Sequence, residues 1–118
     1  MKAKDVLGRR GEVLATEYLV QQGYTILDRN WRCPLGEIDV IAQTRGVTVF
    51  VEVKTRSGLR YGHPFESITV AKLARLRRLS HAWCEAAPPG RRQIRIDAIG
   101  VVAPPSGAAT IEHLEGIF

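Results

Sequence analysis

The sequence predicts an α/β fold: a single mixed β-sheet flanked by helices, with elements in the order α-β-β-β-α-β-β. Three observations predict it. Two segments, 4–22 and 69–86, repeat apolar residues at helical spacing. Short runs rich in Val, Ile and Thr lie between and after them, the signature of strands. Glycine and proline punctuate the junctions. Strands interrupted by a helix bury their apolar faces as layers, with helices on the sheet. The 118 residues suffice for one domain with a hydrophobic core, residues 1–118.

The elements follow in order. Over 4–22, Leu7, Leu14 and Tyr18 form one stripe, with Gly11, Ala15 and Leu19 beside it. Gly23 then supplies the left-handed residue that ends helices. Glu12 lies at the edge of this stripe among small neighbours, so another group can approach it closely. A first strand is expected over 24–29, then an irregular link through Pro34 and Gly36. "EIDVIAQ" and "VTVFVEVKT" are the second and third strands, joined as a hairpin through a two-residue turn at Arg45-Gly46. A Gly-bearing loop over 57–64 reads as mobile; Tyr61 and His63 in it are expected to pack. The second helix turns Leu76, Leu79, Trp83 and Ala86 inward and leaves Lys72, Arg75 and Arg78 off that stripe. "PPGRR" breaks the chain, "QIRIDAIGVV" is the fourth strand, "PPSG" a turn and "ATIEHL" a short fifth.

Composition narrows the partners. The formal net charge of +5 suits a polyanionic partner, nucleic acid or an anionic membrane surface. No apolar run approaches the roughly 18 residues of a membrane span, and "MKAKDVLGRRGE" lacks a signal peptide's apolar core. A cytoplasmic protein without membrane contact is expected. Cys33 and Cys84 are far apart with no CxxC, which fits free thiols. His63, His81 and His113 show no zinc-ligand spacing.

The charges in the central hairpin raise the functional question. Alternation puts Val47, Val49, Val51 and Val53 on one face of the third strand, and Thr48, Phe50, Glu52 and Lys54 on the other. On the second strand Glu37, Asp39 and Ile41 share a face. The two-residue turn sets Thr44 opposite Val47, Asp39 opposite Glu52 and Glu37 opposite Lys54. Two carboxylates directly opposite each other repel. A divalent cation such as Mg²⁺ would turn that repulsion into binding, because it takes oxygen ligands. The alternative is a solvated face with cross-strand ion pairs. Against it stand Phe50 on the charged face, Asp39 opposite Glu52, and Glu12 on a helix that packs on this sheet. For Glu37 an ion pair to Lys54 suffices. Asp97 is expected to pair with a nearby arginine such as Arg95, or to cap a sheet end.

Asp39, thirteen residues before Glu52-Val53-Lys54, matches the D…ExK pattern of the PD-(D/E)XK nuclease superfamily. The blocks "RNWRCPLGEIDVIAQ", "VFVEVKTR" and "RIDAIGV" resemble those of the YraN family of small bacterial proteins, from "GRRGEVLATEYLVQQGY" to the final Phe118. That family is classed by fold with restriction-endonuclease-like proteins and is similar to archaeal Holliday junction resolvases. Ile38, rather than the proline of the superfamily name, precedes Asp39. The resemblance implies a restriction-endonuclease-like core and metal-assisted phosphodiester hydrolysis in structured or branched DNA. It assigns Asp39 and Glu52 to a bound Mg²⁺ or Mn²⁺, with Glu12 completing the ligand shell. Lys54 would hold the attacking water or offset transition-state charge. A homodimer is expected of resolvase-like nucleases, since two strands must be cut. Arg9, Arg10, Arg56, Lys72, Arg75 and Arg78 suit phosphate contacts, which position a nucleic acid without reading its sequence. The alternative function is a non-catalytic nucleic-acid-binding or protein-docking module on the nuclease scaffold.

Overall fold

The structure, a computed structural model, describes residues 3–60 and 62–117, with side-chain surroundings from residue 5 onward. Tyr61, expected to pack, lies outside the described residues. The elements are α1 (Ala3–Gln21), β1 (Thr25–Cys33), β2 (Gly36–Thr44), β3 (Val47–Arg56), a 3₁₀ turn (Pro64–Ser67), α2 (Val70–Ala86), β4 (Gln93–Val102) and β5 (Thr110–Leu114). The order is the α-β-β-β-α-β-β expected from the sequence, with a 3₁₀ turn added. One five-stranded sheet runs β1-β2-β3-β4-β5. Only β3 and β4 are parallel. A parallel neighbour requires a crossover connection, and α2 provides it.

The sheet has a helix on each face. Toward α1, Val40, Ala42, Val49, Val51, Val53, Ile99 and Val101 pack with Ala15 and Leu19. Toward α2, Ile38, Ile41, Phe50 and Ile96 pack with Leu76 and Leu79. Phe50 is fully buried and meets Trp83 edge to face at 5.6 Å between centroids. Burying a side chain of that size stabilises the fold by roughly 1.5–3 kcal/mol. Ala86, expected on the inner stripe of α2, is exposed at the helix's last position. Thr69 caps this helix, its hydroxyl accepting the Lys72 N–H at 3.2 Å.

Local chemistry explains the central hairpin. Arg45 and Gly46 have φ of 47° and 79°, the double left-handed geometry of a type I′ turn. Thr44 pairs with Val47, the register expected from the sequence. The strand before it departs from expectation. β1 continues to Cys33 and reaches β2 through a tight turn at Pro34-Leu35, with Cys33 paired to Gly36. The irregular link is thus a second hairpin. Its outer half contains Asn30 at φ 51° and Pro34, weak strand formers locally, and is held by pairing with β2.

Alternation also departs from the simple pattern. Val40 and Ala42 face α1, as alternation requires, yet Ile38 joins Trp31 in the cluster facing α2. The facing of β2 therefore reverses at Asp39. On β1, the residue between the pairs Arg29–Val40 and Trp31–Ile38 is Asn30, whose left-handed backbone accompanies the reversal. Strict alternation placed Glu37 and Asp39 with Ile41 on the α2 side; the reversal turns both toward α1.

Close approach of α1 completes the arrangement. Gly11 is buried, and a Cβ there would collide with the Thr55 side chain of β3. Gly8, one turn earlier, faces open space. Gly11→Ala is expected to destabilise the protein by about 1–3 kcal/mol through overpacking. Gly8→Ala should be neutral or stabilising by up to about 1 kcal/mol, because alanine is the better helix former. Urea unfolding of the two variants beside the wild type measures both.

Candidate metal centre

The site begins where the sheet divides. The β2–β3 ladder ends at the pair Val40–Val51. Beyond it β2 stays paired with β1 as far as Gly36, and β3 stays paired with β4 as far as Arg56. The expected Asp39–Glu52 ladder pair is therefore not made. Instead the Asp39 carboxylate enters the fork, where its Oδ2 accepts the Val53 N–H at 2.8 Å. The side chain satisfies a strand donor that the departing β2 backbone leaves behind.

Two further carboxylates converge on Asp39. Glu12 arrives from α1 and Glu37 from β2, and the three place carboxylate oxygens within 4.8 Å of one another. Asn30 stands between them: its Nδ2 donates to Glu12 Oε1 at 2.6 Å and to Glu37 Oε1 at 3.0 Å. Arg32 Nε lies 3.3 Å from Glu37 Oε2. The cluster opens into a cleft of about 450 Å³, with Arg9 on its wall. An all-oxygen carboxylate set suits hard divalent ions such as Mg²⁺ or Mn²⁺.

Glu52 and Lys54 form an ion pair of 3.0 Å beside this cluster, both half-buried. The Lys54–Glu37 pair expected from the sequence is not made. Because the strands part before that level, Lys54 finds Glu52 on its own strand, while Glu37 takes Arg32 and Asn30 on β1. Glu52 lies outside the converged trio of Glu12, Glu37 and Asp39, yet near enough to act on Asp39 by its charge. Asn30 was missed from sequence, whereas the role of Glu37 was left open between an ion pair and the metal site. Glu37 had a signal, its two-residue spacing from Asp39. Asn30 had none, because its position depends on the second hairpin.

Asp39 titrates far from its ordinary value. Burial raises its pKa first, and the negative charge of Glu52 raises it further; the bond from Val53 N–H opposes them, Glu12 adds, and Lys54 subtracts, leaving it at about 7. A carboxyl in that state costs the fold stability when ionised, and a bound cation would reverse the cost.

The basic residues divide by environment. Arg9 borders the cleft. Arg10 donates to the Pro104 carbonyl at 3.0 Å. Lys72 Nζ is tied to the Ser67 carbonyl at 2.8 Å. Arg75 and Arg78 are exposed on α2. Arg56 Nε is buried with no hydrogen-bond partner among the described residues. His63 packs, as expected: its ring lies 4.9 Å from that of Phe65, and Nε2 meets Glu112 at 2.9 Å.

A second cluster, Asp97, His113 and Glu115, also brings ligand atoms together, but its chemistry is that of a strut. Asp97 is fully buried. Arg95 grips both its oxygens, at 2.8 and 2.9 Å, His113 Nε2 lies 2.7 Å from Oδ2, and Gly116 N–H donates to Oδ1 at 3.0 Å. Burial pushes the Asp97 pKa up, but hydrogen bonds from His113, Arg95 and Gly116 outweigh it and hold the carboxyl below its ordinary range. A guanidinium already occupies the place of a cation. The expected Asp97–Arg95 pair is present within β4, and the contacts of His113 and Gly116 with Asp97 and of Glu115 with Arg95 fasten β5 and the following chain to it.

The raised Asp39 pKa has a pH signature. An acid whose folded pKa lies above its unfolded value destabilises the fold progressively as pH rises from the ordinary 3.8 toward 7, and fully above that. Asparagine removes the charge and keeps an oxygen for Val53 N–H. In chelator, Asp39→Asn should therefore melt higher than wild type at pH 8, by at least about 5 °C. The difference should shrink toward pH 4. Thermal melts across that range measure it.

Known proteins place the chain among relatives. A family model described as "Uncharacterised protein family UPF0102" matches residues 11–101. A UPF0102 protein of Arthrobacter sp. is 53% identical over 120 residues, covering 99% of each chain. One of Leifsonia xyli is 53% identical over 117 residues, again covering 99% of each. One of Clavibacter michiganensis is 51% identical over 112 residues, covering 95% of each. With near-full coverage at this identity, and a family model spanning most of its length, the chain belongs to the UPF0102 family, which is the YraN family.

Proposed function

We propose that this protein is a divalent-metal-dependent endonuclease that hydrolyses phosphodiester bonds in structured or branched DNA. One observation carries the reading: the convergence of Glu12, Glu37 and Asp39 at the fork of the sheet, with Glu52 and Lys54 alongside. Three carboxylates so close repel one another, and among the described residues no cationic side chain grips them as Arg95 grips Asp97. Arg32 engages only the outer edge, at Glu37. Burial first, and then the negative charges of Glu52 and Glu12, raise the Asp39 pKa at the same place.

Glu12 and Asp39 are the ligands best disposed to hold a cation. Each keeps a carboxylate oxygen without a hydrogen bond among the described residues. Both oxygens of Glu37 are engaged, so Glu37 acts at the periphery. A bound Mg²⁺ or Mn²⁺ would supply Lewis-acid charge to a phosphate oxygen and lower the pKa of a bound water. The Lys54 ammonium, held by Glu52, would stand beside the attacked phosphate and offset its developing charge. Glu52 would hold Lys54 in place and add negative field at the cation. Arg9 on the cleft wall, and Arg75 and Arg78 on α2, would take flanking phosphates.

Thermal melts and cleavage together test this reading. A ligand that binds only the folded chain at ten times its Kd contributes about 1.4 kcal/mol, on the order of 5 °C for a domain of this size. Millimolar Mn²⁺ or Mg²⁺ should raise the wild-type melting temperature by about that much. Asp39→Asn and Glu12→Gln should respond much less. Lys54→Ala should keep the metal response and lose cleavage of four-way or flapped DNA. Equal metal responses in all variants would remove these carboxylates as ligands. Tight DNA binding without cleavage by the wild type would favour the non-catalytic module.

The phosphate-binding arginines have a separate readout. Replacing both Arg75 and Arg78 by alanine should flatten the salt dependence of duplex binding by roughly 0.9 in log–log slope for each phosphate no longer neutralised. An unchanged slope would return both to the solvated surface of α2.

A further inference from the structure

We propose that Asn30 is the positioning residue of the carboxylate cluster, its amide setting the spacing of Glu12 and Glu37 about the place where a divalent cation binds. The inference rests on the cation reading above and adds a residue that the D…ExK pattern does not contain. Three observations carry it. The first is chemical. Asn30 Nδ2 faces two carboxylate oxygens, Glu12 Oε1 at 2.6 Å and Glu37 Oε1 at 3.0 Å. A carboxylate accepts and does not donate, so the amide nitrogen is the only end of Asn30 that can face both. Its two N–H groups are shared between acids from two different elements, α1 and β2. Asn30 thereby ties the helix to the sheet at the cluster itself.

The second observation is the backbone. Asn30 holds φ at 51°, a conformation that asparagine, aspartate and glycine adopt more readily than other residues. It lies opposite Asp39, where the facing of β2 reverses. One residue thus accommodates the turn of the strand that brings Asp39 toward α1 and supplies the donor that the turned acids require.

The third is what the amide leaves free. It occupies Oε1 of Glu12 and Oε1 of Glu37, and Arg32 lies against Oε2 of Glu37. Val53 N–H occupies Oδ2 of Asp39. Among the described residues, Glu12 Oε2 and Asp39 Oδ1 make no hydrogen bond and remain for the cation. Asn30 therefore separates the carboxylates without neutralising them. A lysine or arginine at this place would itself take the role of the cation, as Arg95 does on Asp97. The neutral amide orients the ligands while preserving their charge, which is how groups behind a metal's direct ligands raise its affinity.

The test uses the full chain and Mn²⁺ alone as the probe. Asn30→Gly keeps the left-handed backbone and deletes the amide; Asn30→Ser keeps one hydroxyl donor. Isothermal titration with Mn²⁺ reads the affinity, and chelator melts read stability separately. Asn30→Gly should weaken Mn²⁺ binding by at least about tenfold, the lower end of what loss of an orienting partner costs. Asn30→Ser should fall between it and wild type. A merely structural asparagine would lower the melting temperature and leave the Mn²⁺ affinity within about twofold of wild type, and that result overturns the proposal. Should Asn30→Gly fail to melt cooperatively, the affinity of Asn30→Ser decides by the same criterion. If the wild type binds no Mn²⁺, the cation reading itself fails. If the wild type binds and both variants bind equally well, only the role of Asn30 fails.

Discussion

The hydrogen bond from Val53 N–H to the Asp39 carboxylate is the interaction on which the site depends. A sheet cannot open between two central strands without leaving ladder groups unpaired, and a buried unpaired donor costs about 1–3 kcal/mol. Asp39 fills that vacancy with a side chain, so β2 can leave β3 and remain with β1. The fork, the inward turn of Glu37 and the space for Glu12 all follow from this substitution of side chain for backbone.

Putting a carboxylate there has a cost that the rest of the fold is arranged to carry. Asp39 is largely buried, beside Glu12, Glu37 and Glu52. A sheet assembled for stability alone would place an apolar residue or a basic partner at the fork. Apolar packing on both faces offsets the cost, with Phe50, Ile41 and Leu79 beneath and Val51, Ala15 and Leu19 above. Gly11 lets α1 lie close against Thr55, bringing Glu12 within reach of the sheet. Stability is given up where charge is concentrated, which is what the proposed cation site requires.

The cluster around Asp97 shows the other way to bury an acid. There Arg95, His113 and a backbone N–H surround the carboxylate, so it is compensated within the chain. Tyr18 extends the network, its hydroxyl 3.0 Å from His113 Nδ1, and joins α1 to β5. The two acidic clusters thus differ in one respect: a guanidinium grips both oxygens of Asp97, whereas at the other cluster Arg32 meets Glu37 at a single oxygen.

The sequence by itself determined the element order, the central hairpin and the helix faces that meet the sheet. These depend on short-range rules: positive φ at Arg45-Gly46, alternating valines on β3, and leucines at helical spacing on α2. The pairing of Asp97 with Arg95 was also legible, because the two lie two residues apart on one strand. The membership of the carboxylate cluster was decided by tertiary structure. Alternation in a regular hairpin set Asp39 against Glu52 and Glu37 against Lys54, but the strands separate one pair before that register is reached. The second hairpin, hidden behind Pro34 and the left-handed Asn30, brings Asn30 and Arg32 to Glu37. Which acids meet is settled by where backbone pairing stops, and that depends on long-range packing of β1 and α1 rather than on any local pattern of residues.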